Sequence, residues 1–113
     1  MELSCTFHFA ASHFLTKYHG KCEDLHGHNY KVIVTIEGEL QDDGMVLDFK
    51  IVKKTVKEKV ISILDHKHLN DIIENPSAEH VAIWIWDKIK NDIPLKKVTV
   101  YETENYSCTY EGK

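Results

Sequence analysis

The chain has 113 residues, close to the usual size of one domain, so we expect a single domain over residues 1–113 with one site or part of one. Its formal charge is −4, with acidic and basic side chains interspersed, which argues against nucleic acid or an anionic membrane as partner. Glu2 stands where a secretory signal would be basic, and no apolar stretch approaches the roughly 18 residues of a spanning helix. We therefore expect a cytoplasmic protein.

The first part of the chain predicts two strands joined by a loop. Apolar residues alternate with polar ones over residues 3–9, and a second alternating run covers residues 30–36. This period of two is typical of half-buried strands. We expect residues 13–27 to form the loop between them, and the turn-rich segment 37–44 to end the second strand.

Two helices and two further strands follow. Asp48 is a candidate N-cap for an amphipathic helix that runs to about Asp65, and Ser77 is the candidate cap of a second helix. Alternating runs over residues 98–103 and 106–110 predict the last strands. The order strand, strand, helix, helix, strand, strand predicts an α+β domain with both helices on one face of an antiparallel sheet.

Eight histidines are many for this length. His26 and His28 are two apart at the entrance to the second strand, so their side chains point the same way and form a convergent pair of possible metal ligands. Catalytic zinc usually takes three protein ligands and keeps one position open. We choose His13 as the third, because an antiparallel neighbouring strand would bring it near the pair. His8 and His19 are the competitors, and ordinary surface or core histidines are the alternative to a metal site.

Cys22 has two possible roles beside these histidines. As a fourth ligand it would close the site and make it structural. As a free thiol beside a metal it could act as a base or nucleophile, because a nearby cation lowers a thiol's pKa. Three cysteines, an odd number, argue against a disulfide framework. Cys5 and Cys108 lie on apolar strand faces and are expected in the core.

Two further groups could carry chemistry. Asp65 and His66 follow the predicted first helix, where the helix dipole and the carboxylate favour a charged imidazole that could donate a proton. The alternative is a helix-end histidine beside a solvated aspartate. Glu102 continues the apolar face of Val98 and Val100, where a carboxylate is costly unless paired. It could therefore receive donors from a ligand, or the strand could simply have emerged into solvent.

Six ordered blocks together resemble the 6-pyruvoyl-tetrahydropterin synthase family, and most closely its queuosine-pathway branch of 6-carboxy-tetrahydropterin synthases. The blocks are "FAASH" (9–13), "CEDLHGHNY" (22–30), "GMVLDF" (44–49), "LDHKHLND" (64–71), "NPSAEHVAIWIW" (75–86) and "VYETEN" (100–105). The resemblance implies a tunnelling fold, in which the four-stranded antiparallel sheets of three subunits form a barrel and two trimers stack into a homohexamer. Active sites would then lie at subunit interfaces.

The resemblance also implies roles for residues at the matching positions. His13, His26 and His28 would bind zinc, and Cys22 would be the base beside it. A proton relay would come from Asp65 and His66 across an interface. Glu102 would anchor the guanidine-like edge of a pterin, and Ser77, which stands where the family usually has threonine, would also bind substrate.

The implied reaction is a lyase reaction on 7,8-dihydroneopterin triphosphate. Its products in the queuosine branch are 6-carboxy-5,6,7,8-tetrahydropterin, acetaldehyde and triphosphate, with no redox cofactor. A reaction that ends at triphosphate elimination would give 6-pyruvoyl-tetrahydropterin instead. Glu23 with His26 and His28 also fits a folate-branch pattern, E-x-x-H-G-H, in which the glutamate serves cleavage to 6-hydroxymethyl-7,8-dihydropterin. The alternative outside enzymes is a non-catalytic binding module that zinc stabilises.

Overall fold

The structure, a computed structural model, describes residues 1–16 and 24–113. Its strands are β1 (Glu2–His13), β2 (His26–Glu37), β3 (Lys67–His68), β4 (Leu95–Thr103) and β5 (Tyr106–Tyr110). Its helices are α1 (Phe49–Val56), α2 (Ser62–Leu64) and α3 (Ala78–Ile89). A π-helical turn, Lys57–Ile61, joins α1 to α2, and a 3-10 turn, Leu69–Asp71, follows β3.

The strands form one sheet in the order β3-β1-β2-β4-β5. β1, β2, β4 and β5 are mutually antiparallel neighbours, as the sequence predicts. The pairing of β1 with β2 is continuous from Glu2 opposite Glu37 to His13 opposite His26. β3 adds a short parallel contact, Ala11 opposite Lys67 and Ser12 opposite His68, which the sequence analysis did not predict because two residues carry no alternation. The α+β class is confirmed.

The core lies between the helices and one face of this sheet. The strand side chains that alternate inward are the apolar ones of the predicted pattern, including Phe7, Phe9, Tyr30, Val32 and Val34. They pack in one cluster with inward residues of the helices, among them Val52, Leu64, Val81, Ile85 and Ile89. Burial of each large aliphatic side chain contributes about 1.5–3 kcal/mol, so this face holds the helices on the sheet.

The first predicted helix is interrupted by the π-helical turn. Val52, Val56, Val60 and Leu64 are all at most 1% exposed, yet they are spaced by four residues. In a regular α-helix each such step rotates the side chain by about 40° around the axis. The wider π turn takes up this drift and keeps the four side chains on the core.

Both predicted N-caps are confirmed. Asp48 Oδ1 accepts a hydrogen bond from the N–H of Lys50 at 2.9 Å, and Ser77 Oγ accepts one from the N–H of His80 at 3.2 Å. Each satisfies a backbone donor that the first helical turn leaves unpaired. In the described part of the chain, no helix has the length and apolar character needed to cross a membrane.

We expect the substitution Ile85→Ala to lower the free energy of unfolding by about 2–5 kcal/mol, because it leaves a cavity under the sheet. Ile85 is 0% exposed, whereas Ile83 on the same helix is 37% exposed. The matched variant Ile83→Ala should therefore cost less than about 1 kcal/mol. Urea denaturation of the two variants measures the difference, and equal losses would contradict the assigned core face of α3.

Candidate metal centre and active site

Three imidazoles meet where the paired ends of β1 and β2 leave the core. His13 and His26 face each other directly in the strand register, and His28 lies two residues further along the same face of β2. Their ligand nitrogens all lie within 4.8 Å of one another. The structure therefore brings together the three histidines that the sequence analysis chose. The competitor His8 lines a separate groove beside α1, and His19 lies outside the described residues.

Hydrogen bonds to backbone carbonyls define the protonation of two of these rings. His13 Nδ1 donates to the carbonyl of Pro76 at 2.7 Å, and His26 Nδ1 donates to the carbonyl of Asp24 at 2.9 Å. A carbonyl only accepts, so the proton of each neutral ring must be on Nδ1. Such carbonyl partners are typical of metal-binding histidines, which coordinate through the other ring nitrogen.

The two Nε2 atoms of His13 and His26 lie 3.1 Å apart. Since each Nδ1 is directed at a carbonyl, the two Nε2 atoms face each other, and a cation between them would bind both. Three imidazole nitrogens that converge on one point are a donor set suited to a transition-metal ion. The residues present therefore fit a bound metal.

The aromatic ring of Tyr30 packs against the rings of His13 and His28. Tyr30 follows His26 and His28 at the next inward position of β2 and is 0% exposed. Its ring stacks on Phe9 with centroids 4.8 Å apart and meets His28 edge to face at 5.6 Å. The period of two that aligns His26 and His28 extends to Tyr30, which begins the alternating run 30–36 of the sequence.

Glu102 lies beside the histidines. Its Oε1 is 3.4 Å from His28 Nε2 and its Oε2 is 3.9 Å from His13 Nε2. Glu102 also lines a pocket of about 240 Å³ together with Glu79 and Cys108. The carboxylate that the sequence analysis singled out at the end of an apolar face thus stands between the candidate metal site and a pocket. Ser77 caps α3 immediately before the residues that line this pocket.

Asp65 and His66 form a second polar pair. His66 Nδ1 lies 3.0 Å from Asp65 Oδ2, and the N–H of Ala10 donates to Asp65 Oδ1 at 3.0 Å. The bond from Ala10 lowers the pKa of the Asp65 carboxyl, desolvation partly opposes it, and His66 lowers the pKa further. His66 has a φ of 58°, in the left-handed region, and an imidazole that is 83% exposed.

His66 lines a groove of about 500 Å³ that His28 of the histidine cluster also lines. Ser12, Gly27 and Asn29 contribute further to this groove. Those three positions alternate with His13, His26 and His28 along the two strands, so they belong to the opposite face. Much of the groove beside His66 therefore belongs to the sheet face opposite the candidate metal site, and His28 is the cluster residue that also lines it.

Cys22 and Glu23 lie outside the described residues, so their predicted roles stay predictions. In Cys5, burial raises the pKa of the thiol. In Cys108, burial is again the largest cause of a raised thiol pKa, and the carboxylates of Glu79 and Glu102 raise it further. A raised pKa disfavours the reactive thiolate. This agrees with the expectation that Cys5 and Cys108 are packing residues.

Comparisons of the sequence and of the structure with known proteins point to the same family. A family model described as 6-pyruvoyl tetrahydropterin synthase matches residues 2–113. The human 6-pyruvoyl tetrahydrobiopterin synthase is 38% identical over 135 residues, covering 99% of this chain and 92% of the human protein. In the solved structure of Caenorhabditis elegans 6-pyruvoyl tetrahydropterin synthase the identity is 30%, the TM-score is 0.89, and the match covers 100% of this chain and 96% of that one.

Two archaeal relatives carry other names. A dihydroneopterin monophosphate aldolase from Pyrococcus furiosus is 38% identical over 93 residues, which cover 79% of this chain and 80% of the relative. A putative 6-carboxy-5,6,7,8-tetrahydropterin synthase from Archaeoglobus fulgidus is 36% identical over 106 residues, which cover 93% of this chain and 90% of the relative.

We expect the Asp65 carboxylate to stabilise the fold in a pH-dependent way. Because its pKa is lowered in the folded chain, its contribution is complete above the ordinary carboxyl pKa of about 3.9 and is lost as the pH falls through the lowered value. Metal-free wild type should therefore exceed Asp65→Asn in unfolding free energy at pH 7, with the difference shrinking below about pH 4. Urea denaturation at several pH values measures this. A difference that stays constant with pH would contradict the assignment.

Proposed function

Because the chain belongs to the 6-pyruvoyl tetrahydropterin synthase family, we propose that it is a zinc-dependent lyase acting on 7,8-dihydroneopterin triphosphate. The proposed products are 6-carboxy-5,6,7,8-tetrahydropterin, acetaldehyde and triphosphate, which would serve queuosine-type biosynthesis in the cytoplasm. The observation that carries the proposal is the convergence of three imidazole nitrogens within 4.8 Å beside a carboxylate. The block "CEDLHGHNY" and the Archaeoglobus fulgidus relative support this branch.

The proposed metal is zinc, held by His13, His26 and His28. Zinc in catalytic sites commonly has three protein ligands and an open position for substrate. When bound, the ion would supply Lewis acidity to the side-chain hydroxyls of the substrate. The protein's own part is to present neutral rings, and the carbonyls that accept from His13 and His26 support this.

Glu102 is the proposed anchor of the pterin ring. A carboxylate can accept two parallel N–H bonds, and the guanidine-like edge of a pterin offers such a pair of donors. Glu102 and Glu79 line the same pocket, so the pocket is acidic and favours a donor-rich ligand edge. Ser77 would contribute by fixing the first turn of α3, from which Glu79 projects.

Proton transfer is assigned to Cys22 and His66. Cys22 would remove a proton from the substrate side chain, because a cation beside the thiol lowers its pKa. Asp65 would hold Nδ1 of His66, leaving Nε2 of that ring to exchange a proton with substrate. Since Ser12, Gly27 and Asn29 in the groove beside His66 belong to the sheet face opposite the cluster, we propose that His66 acts on the site of a neighbouring subunit, within a homohexamer.

Specific observations support two alternative reactions within the same family. Glu23 completes an E-x-x-H-G-H pattern, and the aldolase from Pyrococcus furiosus is among the relatives. Both favour an added or alternative cleavage to 6-hydroxymethyl-7,8-dihydropterin. The name of the human relative favours a reaction that ends at 6-pyruvoyl-tetrahydropterin. A non-catalytic zinc module, with Cys22 as fourth ligand, remains the alternative outside enzymes.

Product identification tests the proposed function. We expect the zinc-loaded chain to convert 7,8-dihydroneopterin triphosphate to 6-carboxy-5,6,7,8-tetrahydropterin with an equivalent release of acetaldehyde, measured by mass spectrometry and an aldehyde-trapping assay. Chelated protein is the control and should form neither product. Formation of 6-pyruvoyl-tetrahydropterin without acetaldehyde would refute the queuosine assignment. No turnover at full zinc occupancy would favour the binding module.

Single substitutions distinguish the two proposed activities. Cys22→Ala should lower the rate of 6-carboxy-tetrahydropterin formation by about 10²–10⁴-fold, the usual contribution of a general base, and should leave zinc content unchanged. Cys5→Ala is the matched control, since that thiol's pKa is raised by burial. Loss of zinc from Cys22→Ala would instead identify a fourth ligand. Glu23→Ala should abolish only 6-hydroxymethyl-7,8-dihydropterin formation, and an unchanged rate would remove Glu23 from that reaction.

A further inference from the structure

The orientation of His13 depends on a backbone carbonyl. His13 is 1% exposed, and its Nδ1 donates to the carbonyl of Pro76 at 2.7 Å. The hydroxyl of Tyr30 lies 3.3 Å from the same nitrogen, so the shorter bond to the carbonyl and this longer contact together set the direction in which Nε2 points. Pro76 belongs to the turn before α3, far along the chain from β1, so whatever fixes that turn also fixes the ring.

Asn75, immediately before Pro76, has an unusual backbone conformation. Its φ is 46°, and among the described residues His66 is the other non-glycine residue with a positive φ. Asparagine tolerates this left-handed region better than most residues. Such a conformation persists only where the surrounding contacts hold it.

Asn75 is held by partners from both sides of the turn. Its carbonyl accepts from His80 Nδ1 at 2.7 Å and from the N–H of Ser77 at 2.8 Å, both from the start of α3. Its side-chain Oδ1 accepts from the N–H of Thr16 at 2.9 Å and from Thr16 Oγ1 at 3.3 Å. Thr16 lies three residues beyond His13 in the chain. One asparagine therefore joins the start of α3 to the segment that carries His13.

We propose that Asn75 is a positioning residue for the metal site: by locking the turn through Oδ1 and a left-handed backbone, it aims the Pro76 carbonyl at His13. The inference rests on the proposed metal site and adds a residue that touches neither metal nor substrate. Partners of metal-binding histidines typically change metal affinity when they are disturbed. Loss of these bonds would let the carbonyl move away from Nδ1 and leave the buried ring to the longer contact with the Tyr30 hydroxyl at 3.3 Å, so that Nε2 would change direction.

Zinc affinity of three variants at this position tests the proposal. Asn75→Ala loses both Oδ1 and the tolerance for positive φ, and Asn75→Gly loses Oδ1 alone. Asn75→Asp retains an acceptor oxygen and the same tolerance. We expect the alanine and glycine variants to bind zinc about 10- to 100-fold more weakly in competition with a chromophoric chelator, and the aspartate variant to bind like wild type. The exposed residue Asn91 supplies the control, Asn91→Ala, which should bind zinc as wild type does.

Cobalt substitution separates positioning from general stability. The visible absorption of bound Co²⁺ reports coordination geometry, so we expect an altered spectrum in Asn75→Gly and a wild-type spectrum in Asn75→Asp, with circular dichroism of the metal-free chains unchanged. Wild-type affinity and spectrum in Asn75→Gly would overturn this inference while leaving the proposed function intact. Equal weakening in Asn75→Asp or Asn91→Ala would also overturn it. A wild-type chain that binds no zinc would overturn both.

Discussion

The continuous pairing of β1 with β2 determines both the core and the candidate metal site. With His13 opposite His26, Phe7 and Phe9 of β1 point to the same side as Val32 and Tyr30 of β2. A shift of one residue would turn every side chain of one strand to the other face, exposing its apolar residues and separating His13 from its partners. The hydrophobic effect, which penalises that shift at each inward position, therefore also holds the histidines in register.

The same inward face changes from apolar to polar along its length. From Ile36 to Tyr30 the inward side chains of β2 are 0% exposed, and the next two inward positions are His28 and His26. Polar rings that leave water need hydrogen-bond partners, and the carbonyls of Pro76 and Asp24 supply these for buried His13 and half-buried His26. The Nε2 atoms of the same two rings lie 3.1 Å apart, and such a polar cluster at the end of an apolar face is typical of a functional site.

Side-chain patterns made the main strands, the helix caps and the three histidines predictable. His13 could be chosen because antiparallel neighbours bring the end of one strand to the start of the next. No side-chain pattern predicted the π turn, because it compensates for the rotation around the helix axis that accumulates over four buried side chains spaced by four residues. The contact of the Pro76 carbonyl with His13 also left no signal in the sequence, because a carbonyl is present at every residue and only the folded turn decides which one meets a ring. The proposed role of Asn75 depends on that turn and was hidden for the same reason.

The position of β3 has the largest consequence for function, and it was invisible in the sequence. By pairing with Ala11 and Ser12 at the outer edge of β1, β3 holds the adjacent Asp65–His66 pair beside the groove that Ser12, Gly27 and His28 also line. The Ala10 N–H and carbonyl, which bond Asp65 and His66 respectively, fix the pair there and oppose any swing around the sheet edge. Ser12 and Gly27 of that groove belong to the sheet face opposite the histidine cluster. Under the proposed function, a neighbouring copy would bring its own His66 to the cluster, and assembly would then complete the active site.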